Sequence, residues 1–256
     1  MIEGKLPNFF SFKSSNDLIR IGKDNDGGYL VSKKDLEIAD VLLSLGISND
    51  WTFEEDFIRL NNVNLYAYDA SIDEKVFLKI FLKSLVVLNK PLLIFKNFKT
   101  IYLYLRFFSK KKVSHIKKFV GYDSLNLENN ISMDKVIERI NDSKKNIFLK
   151  IDIEGSEYRI LETLLLNQSK ICGLVIEFHD IDLHLDKIER FIKNFSLNLV
   201  HIHANNAGGI KSENSLPLII EITFSKYSST FTEKSLPHEL DSPNNSKNKE
   251  IQLIIE

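Results

Sequence analysis

The amino-acid sequence predicts an α/β fold: a mostly parallel sheet with helices on both faces. Two observations carry that reading. Apolar, strand-length runs alternate with segments of helical spacing, and several of those runs end abruptly in a glycine or an acid. Residues 40–47 (DVLLSLGI) read as a buried strand, and residues 50–60 as a helix beginning at its end. Residues 65–69 (LYAYD) form a second short strand closed by Asp69. Further strands are expected at 115–120, 146–153, 173–178, 198–203 and, after Pro217, at 218–224. Between them Ser132 suits the N-cap of a helix over 134–140, and 158–166 has apolar residues at helical spacing. Residues 29–31 fit a strand after the turn-forming Asp24-Asn25-Asp26-Gly27, and residues 225–249 are polar enough to suggest a loose segment before the apolar run 251–255.

Composition bounds what such a fold can do. A chain of 256 residues, 43% hydrophobic and 27% charged, can bury a sizeable core and is not expected to be disordered. Its net charge of -1 gives no global field toward nucleic acid or membrane. The single cysteine, Cys172, lies in the apolar run ICGLVI, which excludes an internal disulfide and reads as a buried structural thiol. The N-terminal MIEGKLPNFFSFK lacks the apolar core of a signal peptide, so a cytoplasmic location is expected.

Charge is nevertheless uneven. From Lys75 to Tyr122 there is no Asp or Glu, while twelve Lys and Arg are interleaved with Phe, Tyr, Leu and Ile. Lys75, Lys79 and Lys83 recur every four residues, which places them on one helical face. No uncharged stretch there approaches the ~20 residues a bilayer requires. The segment reads either as a solvated helix face over a core, or as a cap attracting an anionic substrate or an anionic membrane surface.

Candidate functional residues gather at strand ends. In SLGISNDWTFE a single glycine, Gly46, follows the first strand and permits close backbone approach, whereas the G-x-G-x-x-G of a dinucleotide turn is absent. Asp69 ends the next strand, where a carboxylate can accept hydrogen bonds from both hydroxyls of a ribose. In FLKIDIEGSEYRIL an apolar strand runs straight into Asp152, Glu154 and Glu157 around Gly155. The C-terminal edge of a parallel sheet is where α/β proteins keep their ligands, so Asp152 is expected to point into a site. Asp24-Asn25-Asp26-Gly27 begins like a calcium loop, but Asp35 stands where the bidentate Glu belongs, and the stretch is better taken as a turn.

The ordered set DGGYLV (26–31), SLGI (44–47) with Phe53-Glu54, YAYD (66–69) and KIDIEGSE (150–157) resembles the FkbM-type methyltransferases. IEFH (176–179), HIHANN (201–206) and PLIIEI (217–222) extend the likeness, which covers most of residues 20–225, with K-I-D-x-E-G-x-E as its most specific part. The resemblance implies a Rossmann-like class I fold of seven strands, the last antiparallel, with S-adenosylmethionine (SAM) as cofactor. It also implies methylation of a hydroxyl on a sugar or other natural product. Cofactor contacts carry over to Gly28, Ser44, Gly46, Ile47, Asp50, Glu54, Asp69 and Ala70, with Gly46 and its neighbours backing the methionine portion and Asp69 holding the ribose. One glycine in the first turn departs from the G-x-G of many methyltransferases. The organisation expected is a segment 1–35 packing on the cofactor site, a methyltransferase domain 36–225 with a basic helical insertion at about 72–112, and a polar segment with a final strand at 226–256.

Methyl transfer to oxygen requires the acceptor to be aligned with the C–S bond and its proton removed. Asp152, Glu177 and His179 are the catalytic candidates, with Asp180, His201 and His203 also at strand ends. His179 is the preferred base because an unperturbed imidazole titrates near pKa ~6.5. The bland alternative is that these groups merely bond one another and the loop backbone. Asp152 with His179 and Asn205 or Asn206 also suits Mg or Mn, which would lower the hydroxyl's pKa. The expected acceptor is an anionic nucleotide-linked or phosphorylated sugar entering past the basic segment; nucleic acid and a membrane span are not expected. Two other classes remain open: a non-catalytic nucleotide- or glycan-binding module, and a peripheral protein using residues 75–118 on an anionic surface or nucleic acid.

Overall fold

The computed structural model describes residues 1–86, 90–121, 128–140, 146–228, 230–232 and 235–256. Seven strands make the principal sheet: β1 (Val41–Leu45), β2 (Asn64–Tyr68), β3 (Val113–Ile116), β4 (Ile147–Ile151), β5 (Ile171–Phe178), β6 (Asn198–Ala204) and β7 (Ile220–Ser225). Their order across the sheet is β6-β7-β5-β4-β1-β2-β3. Strands β3, β2, β1, β4 and β5 run parallel, and β7 is antiparallel to both its neighbours. The chain winds one way from β1 and the other way from β4, so a crevice opens between their C-terminal ends.

Strands covered on both faces are written as continuous apolar runs, as these are. Leu43, Leu45, Leu149 and Ile151 pack into the cluster on one face, and Leu42, Leu65, Phe148 and Val175 into the cluster on the other. The helices are α1 (Lys33–Ile38), α2 (Thr52–Leu60), α3 (Glu74–Leu85), α4 (Pro91–Phe108), α5 (Met133–Glu138), α6 (Leu161–Asn167) and α7 (Leu185–Asn194). Ser32, Asp73 and Ser132 cap α1, α3 and α5 by accepting from backbone N–H groups of the first turn. Pro91 opens α4, where its missing N–H costs nothing.

Three expectations are corrected. The strand expected at 115–120 divides: Val113–Ile116 joins the sheet, and Phe119–Val120 leaves it to pair with Asn130–Ile131. The helix expected at 158–166 is a 3-10 turn (Glu157–Arg159) followed by α6. The polar segment after Ser225 is tied down where it is described, because its side chains find buried partners: Asp241 on His201 Nε2 at 2.9 Å and Asn244 Nδ2 on Glu221 at 2.6 Å. Residues 251–255 then pair in parallel with Ile2–Leu6. A hairpin of Leu18–Ile21 and Tyr29–Ser32 carries Tyr29 over the crevice.

Candidate active site

The ends of β1, β2, β4 and β5 converge on a cavity of about 980 Å³. Gly46 follows β1 at φ +79°, and a Cβ there would overlap the carbonyl oxygen of Asp152. Glycine is therefore demanded by the crossing of two strand ends. Its own carbonyl accepts from Lys150 Nζ at 2.5 Å. Lys150 is buried on β4, with Asp152 Oδ2 at 3.8 Å. Burial opposes its charge, but Glu54, Asp152 and Glu177 outweigh burial and hold its pKa above the ordinary lysine value. Glu54, buried on α2, accepts from Ser44 Oγ at 2.5 Å, and its other carboxylate oxygen has no hydrogen-bond partner among the described residues. Burial raises the Glu54 pKa in spite of Lys150.

Asp69 closes β2 as a hub. Its Oδ2 accepts from Ile47 N at 3.0 Å and Ser48 N at 2.8 Å, and its Oδ1 from Ser71 N at 2.7 Å and Ser71 Oγ at 2.6 Å. Burial works against ionisation, yet those bonds hold its pKa below the ordinary carboxyl value. Asp69 thus fixes the backbone around Gly46 and faces the same cavity.

Across the crevice, Tyr29 donates its hydroxyl toward Asp152 Oδ2 and Glu177 Oε2, each at 3.2 Å. Glu177 also accepts from Asn205 Nδ2 at 2.9 Å. Burial first, and Asp152 second, push its pKa well above the ordinary range. Glu157 is fully buried: one oxygen accepts from Ile153 N at 3.1 Å and Gly155 N at 3.2 Å and meets His179 Nδ1 at 3.2 Å. That bond aims His179 Nε2 at Glu154 and Glu177, both at 3.5 Å. Burial opposes protonation of His179, but the bond to Glu157 and the surrounding carboxylates raise its pKa to about 9. The premise of a near-neutral imidazole is therefore not met. Ligand atoms of Asp152, Glu154 and His179 lie within 4.8 Å of one another, a set with room for one metal ion. Asn205 and Asn206 are engaged elsewhere, by Glu177 and by the Asn245 backbone at 3.1 Å.

Of the residues expected from sequence, Gly46, Ile47, Asp50, Glu54, Asp69, Asp152, Glu177 and His179 line the cavity. Ser44 lies behind Glu54, Ala70 lies outside the lining, and Gly27 lines it in place of Gly28. A Cβ on Gly28 would strike the Lys23 carbonyl, so that glycine serves the turn itself. His201 and His203 sit outside the lining: His201 holds Asp241, and His203 lies between Glu221 at 3.2 Å and Glu250 at 3.3 Å. The sequence reading missed Lys23, Asp26, Lys150, Asn244 and Asn245 as lining residues. A lysine inside an otherwise apolar strand was the one available signal, at Lys150. Lys110, Lys111 and Lys112 precede β3 and so stand at the opposite edge of the sheet, where Lys112 Nζ donates to Asn62 O at 2.7 Å. Within the basic segment the cavity is reached by Lys118, with Phe119 and Val120.

A seven-stranded sheet whose reversed β7 lies between β5 and β6, with a polar cavity at the β1/β4 crevice, is the Rossmann-like arrangement of the class I methyltransferase fold. The methyltransferase FkbM domain is matched over residues 108–198, which include the KIDIEGSE stretch. No curated protein matches the chain. Among solved structures, the precorrin-6y C5,15-methyltransferase of Geobacter metallireducens GS-15 is similar at 12% identity and a TM-score of 0.40, over 75% of this chain and 85% of that one. An rRNA methylase from Streptococcus thermophilus is similar at 9% identity and 0.38, over 75% and 91%. M. jannaschii TYW2 in complex with AdoMet follows at 8% and 0.34, over 78% and 82%. Likeness at that level carries no argument about substrate.

Proposed function

We propose that the chain is an O-methyltransferase acting on a hydroxyl of a sugar, with the cofactor on the Gly46–Asp69 side of the cavity and the acceptor on the Asp152–Glu177–His179 side. The observation that carries this reading is one cavity lined both by buried Glu54, one of whose oxygens has no hydrogen-bond partner among the described residues, and by Asp152. SAM supplies, when bound, an electrophilic methyl on a sulfonium cation. Gly46, Ile47, Glu54 and Asp69 would hold it, in a wall where, among the described residues, Asp26, Asp50, Glu54, Asp69, Asp152, Glu154 and Glu177 outnumber Lys23, Lys118, Lys150 and His179. Such a wall favours a cation. Asp152 is the carboxylate to receive the acceptor's proton: Tyr29 and Lys150 steady it, whereas Glu177 and His179 are committed to Asn205 and Glu157. The same acidity favours a reacting sugar that is itself uncharged, and a phosphate or nucleotide linked to it belongs at Lys118 beside Phe119.

A second reading of the acceptor end rests on the Asp152, Glu154 and His179 ligand set, which would suit a divalent ion that lowers the hydroxyl's pKa. Mass spectrometry of sugars and nucleotide-linked sugars incubated with protein and SAM tests the proposal. Asp152→Asn should cut turnover by about 10²-fold or more while SAM still binds. Full activity in EDTA rejects the metal reading; activity lost to EDTA and restored by Mn supports it. Absence of methyl transfer to any hydroxyl in the panel, with transfer to nitrogen or carbon acceptors instead, would overturn the O-methylation reading.

A further inference from the structure

The helices α3 and α4 pack on each other and leave much of their apolar surface uncovered. Within them Phe77, Ser84, Tyr104 and Phe107 are buried. Leu92 is 85% exposed and Phe95 66%, and Phe98, Tyr102 and Leu105 are each more than half exposed. The 3-4-3 spacing of Phe95, Phe98, Tyr102 and Leu105 lines them up along one face of α4, and Leu78, Leu82 and Leu85 do the same on α3. A contiguous apolar patch of this kind marks an interaction surface.

Charge identifies the occupant. Lys75, Lys79, Lys83, Lys96 and Lys99 stand on the same two helices, exposed, and among the described residues none has a carboxylate in ion-pair range. The surface is therefore apolar and cationic at once. We propose that α3 and α4 dock on an anionic lipid surface, seating Leu and Phe side chains at the headgroup–acyl boundary and lysines on headgroup phosphates. A second copy of the chain would bring the same uncompensated lysines against this face, and nucleic acid would leave the leucines without apolar partners. Among the described residues no helix is long and apolar enough to cross a membrane, so the helices lie on the surface. Their roots adjoin the cavity: Trp51 packs on Phe77 and Tyr104 at 6.1 and 5.7 Å, Tyr104 bonds His115 Nδ1 at 2.6 Å, and His115 Nε2 bonds the Asp69 carbonyl at 2.8 Å. Docking would hold the cavity beside the bilayer.

Sedimentation of the full chain with phosphatidylcholine vesicles, and with vesicles in which part of that lipid is replaced by phosphatidylglycerol, tests it. The protein should pellet with the anionic vesicles alone, less so as salt rises. Two exposed triple variants, Leu92→Ser/Phe95→Ser/Tyr102→Ser and Lys75→Gln/Lys79→Gln/Lys83→Gln, should each lower the partition coefficient at least about tenfold with unchanged thermal melting. Failure of the wild type to bind anionic vesicles, or binding by either variant undiminished from wild type, overturns the proposal. So does a concentration-dependent dimer abolished by the apolar triple, or tighter binding to single-stranded RNA than to vesicles.

Discussion

Replacing Lys150 by methionine tests whether one buried cation holds the two halves of the site together. Its ammonium lies 3.8 Å from Asp152 and donates to the Gly46 carbonyl at 2.5 Å, with Glu54 and Glu177 also acting on its charge. Coulomb's law at 3.8 Å with an effective dielectric of about 20 gives about 4 kcal/mol for the Asp152 pair alone. Breaking a buried pair from one side typically costs about 3–5 kcal/mol, and here the fully buried Glu54, whose charge supports Lys150 most, would be left without its counter-charge. Lys150→Met should therefore lose about 3 kcal/mol or more in urea unfolding. The single tryptophan, Trp51, is buried and provides the fluorescence signal. Adding Glu54→Gln removes one of the stranded carboxylates, so the double variant should be more stable than Lys150→Met. A loss below about 1 kcal/mol, or a double variant no more stable than the single, would refute the reasoning.

Asp69→Asn keeps the shape but not the charge of the hub that fixes Ile47, Ser48 and Ser71, and SAM affinity by calorimetry should fall about tenfold, a loss near 1.4 kcal/mol; unchanged affinity in a folded variant would move the ribose site elsewhere. Glu157→Gln removes the carboxylate beside His179 Nδ1, so the imidazole pKa read by NMR should drop from about 9 by roughly one unit or more, and an unmoved titration would deny that contact. His203 supplies a pH test. Burial would lower its pKa, but Glu221 and Glu250 raise it to about 10. A folded value above the unfolded ~6.5 stabilises fully below about pH 6.5 and is lost as pH rises through about 10. His203→Gln should melt lower than wild type near pH 6 and lose less stability on the way to pH 10 (both approximate bounds of that window); parallel melting curves would contradict the assignment.

The legible part of the fold was the part whose physics is local. Strands β1, β4 and β5 are buried on both faces and so appear as unbroken apolar runs, and a doubly wound sheet puts its polar strand ends in one crevice. By that logic Asp152, Glu177 and His179 fall at one crevice, and all three line the cavity there. It could not give the imidazole's state, which Glu157 sets through a bond spanning 22 residues. Asn244 and Asn245 reach the cavity from a polar stretch whose anchors, Glu221 and Asn206, are distant in sequence. The basic segment misled for a different reason. Lys110 to Lys112 are close in sequence to Lys118, but β3 lies between them and carries the two ends to opposite edges of the sheet. Gly28 read as a cofactor residue from its motif, while the turn itself accounts for it and Gly27 faces the cavity.

Calorimetric titration of SAM into the wild-type chain, Gly46→Ala and Asp152→Asn addresses the central claim most directly. The account predicts one SAM per wild-type chain, binding largely retained in Asp152→Asn, and binding lost in Gly46→Ala, where the new Cβ would overlap the Asp152 carbonyl and force β1 and β4 apart. No binding heat with the wild type, or undiminished SAM affinity in a folded Gly46→Ala protein, would contradict it.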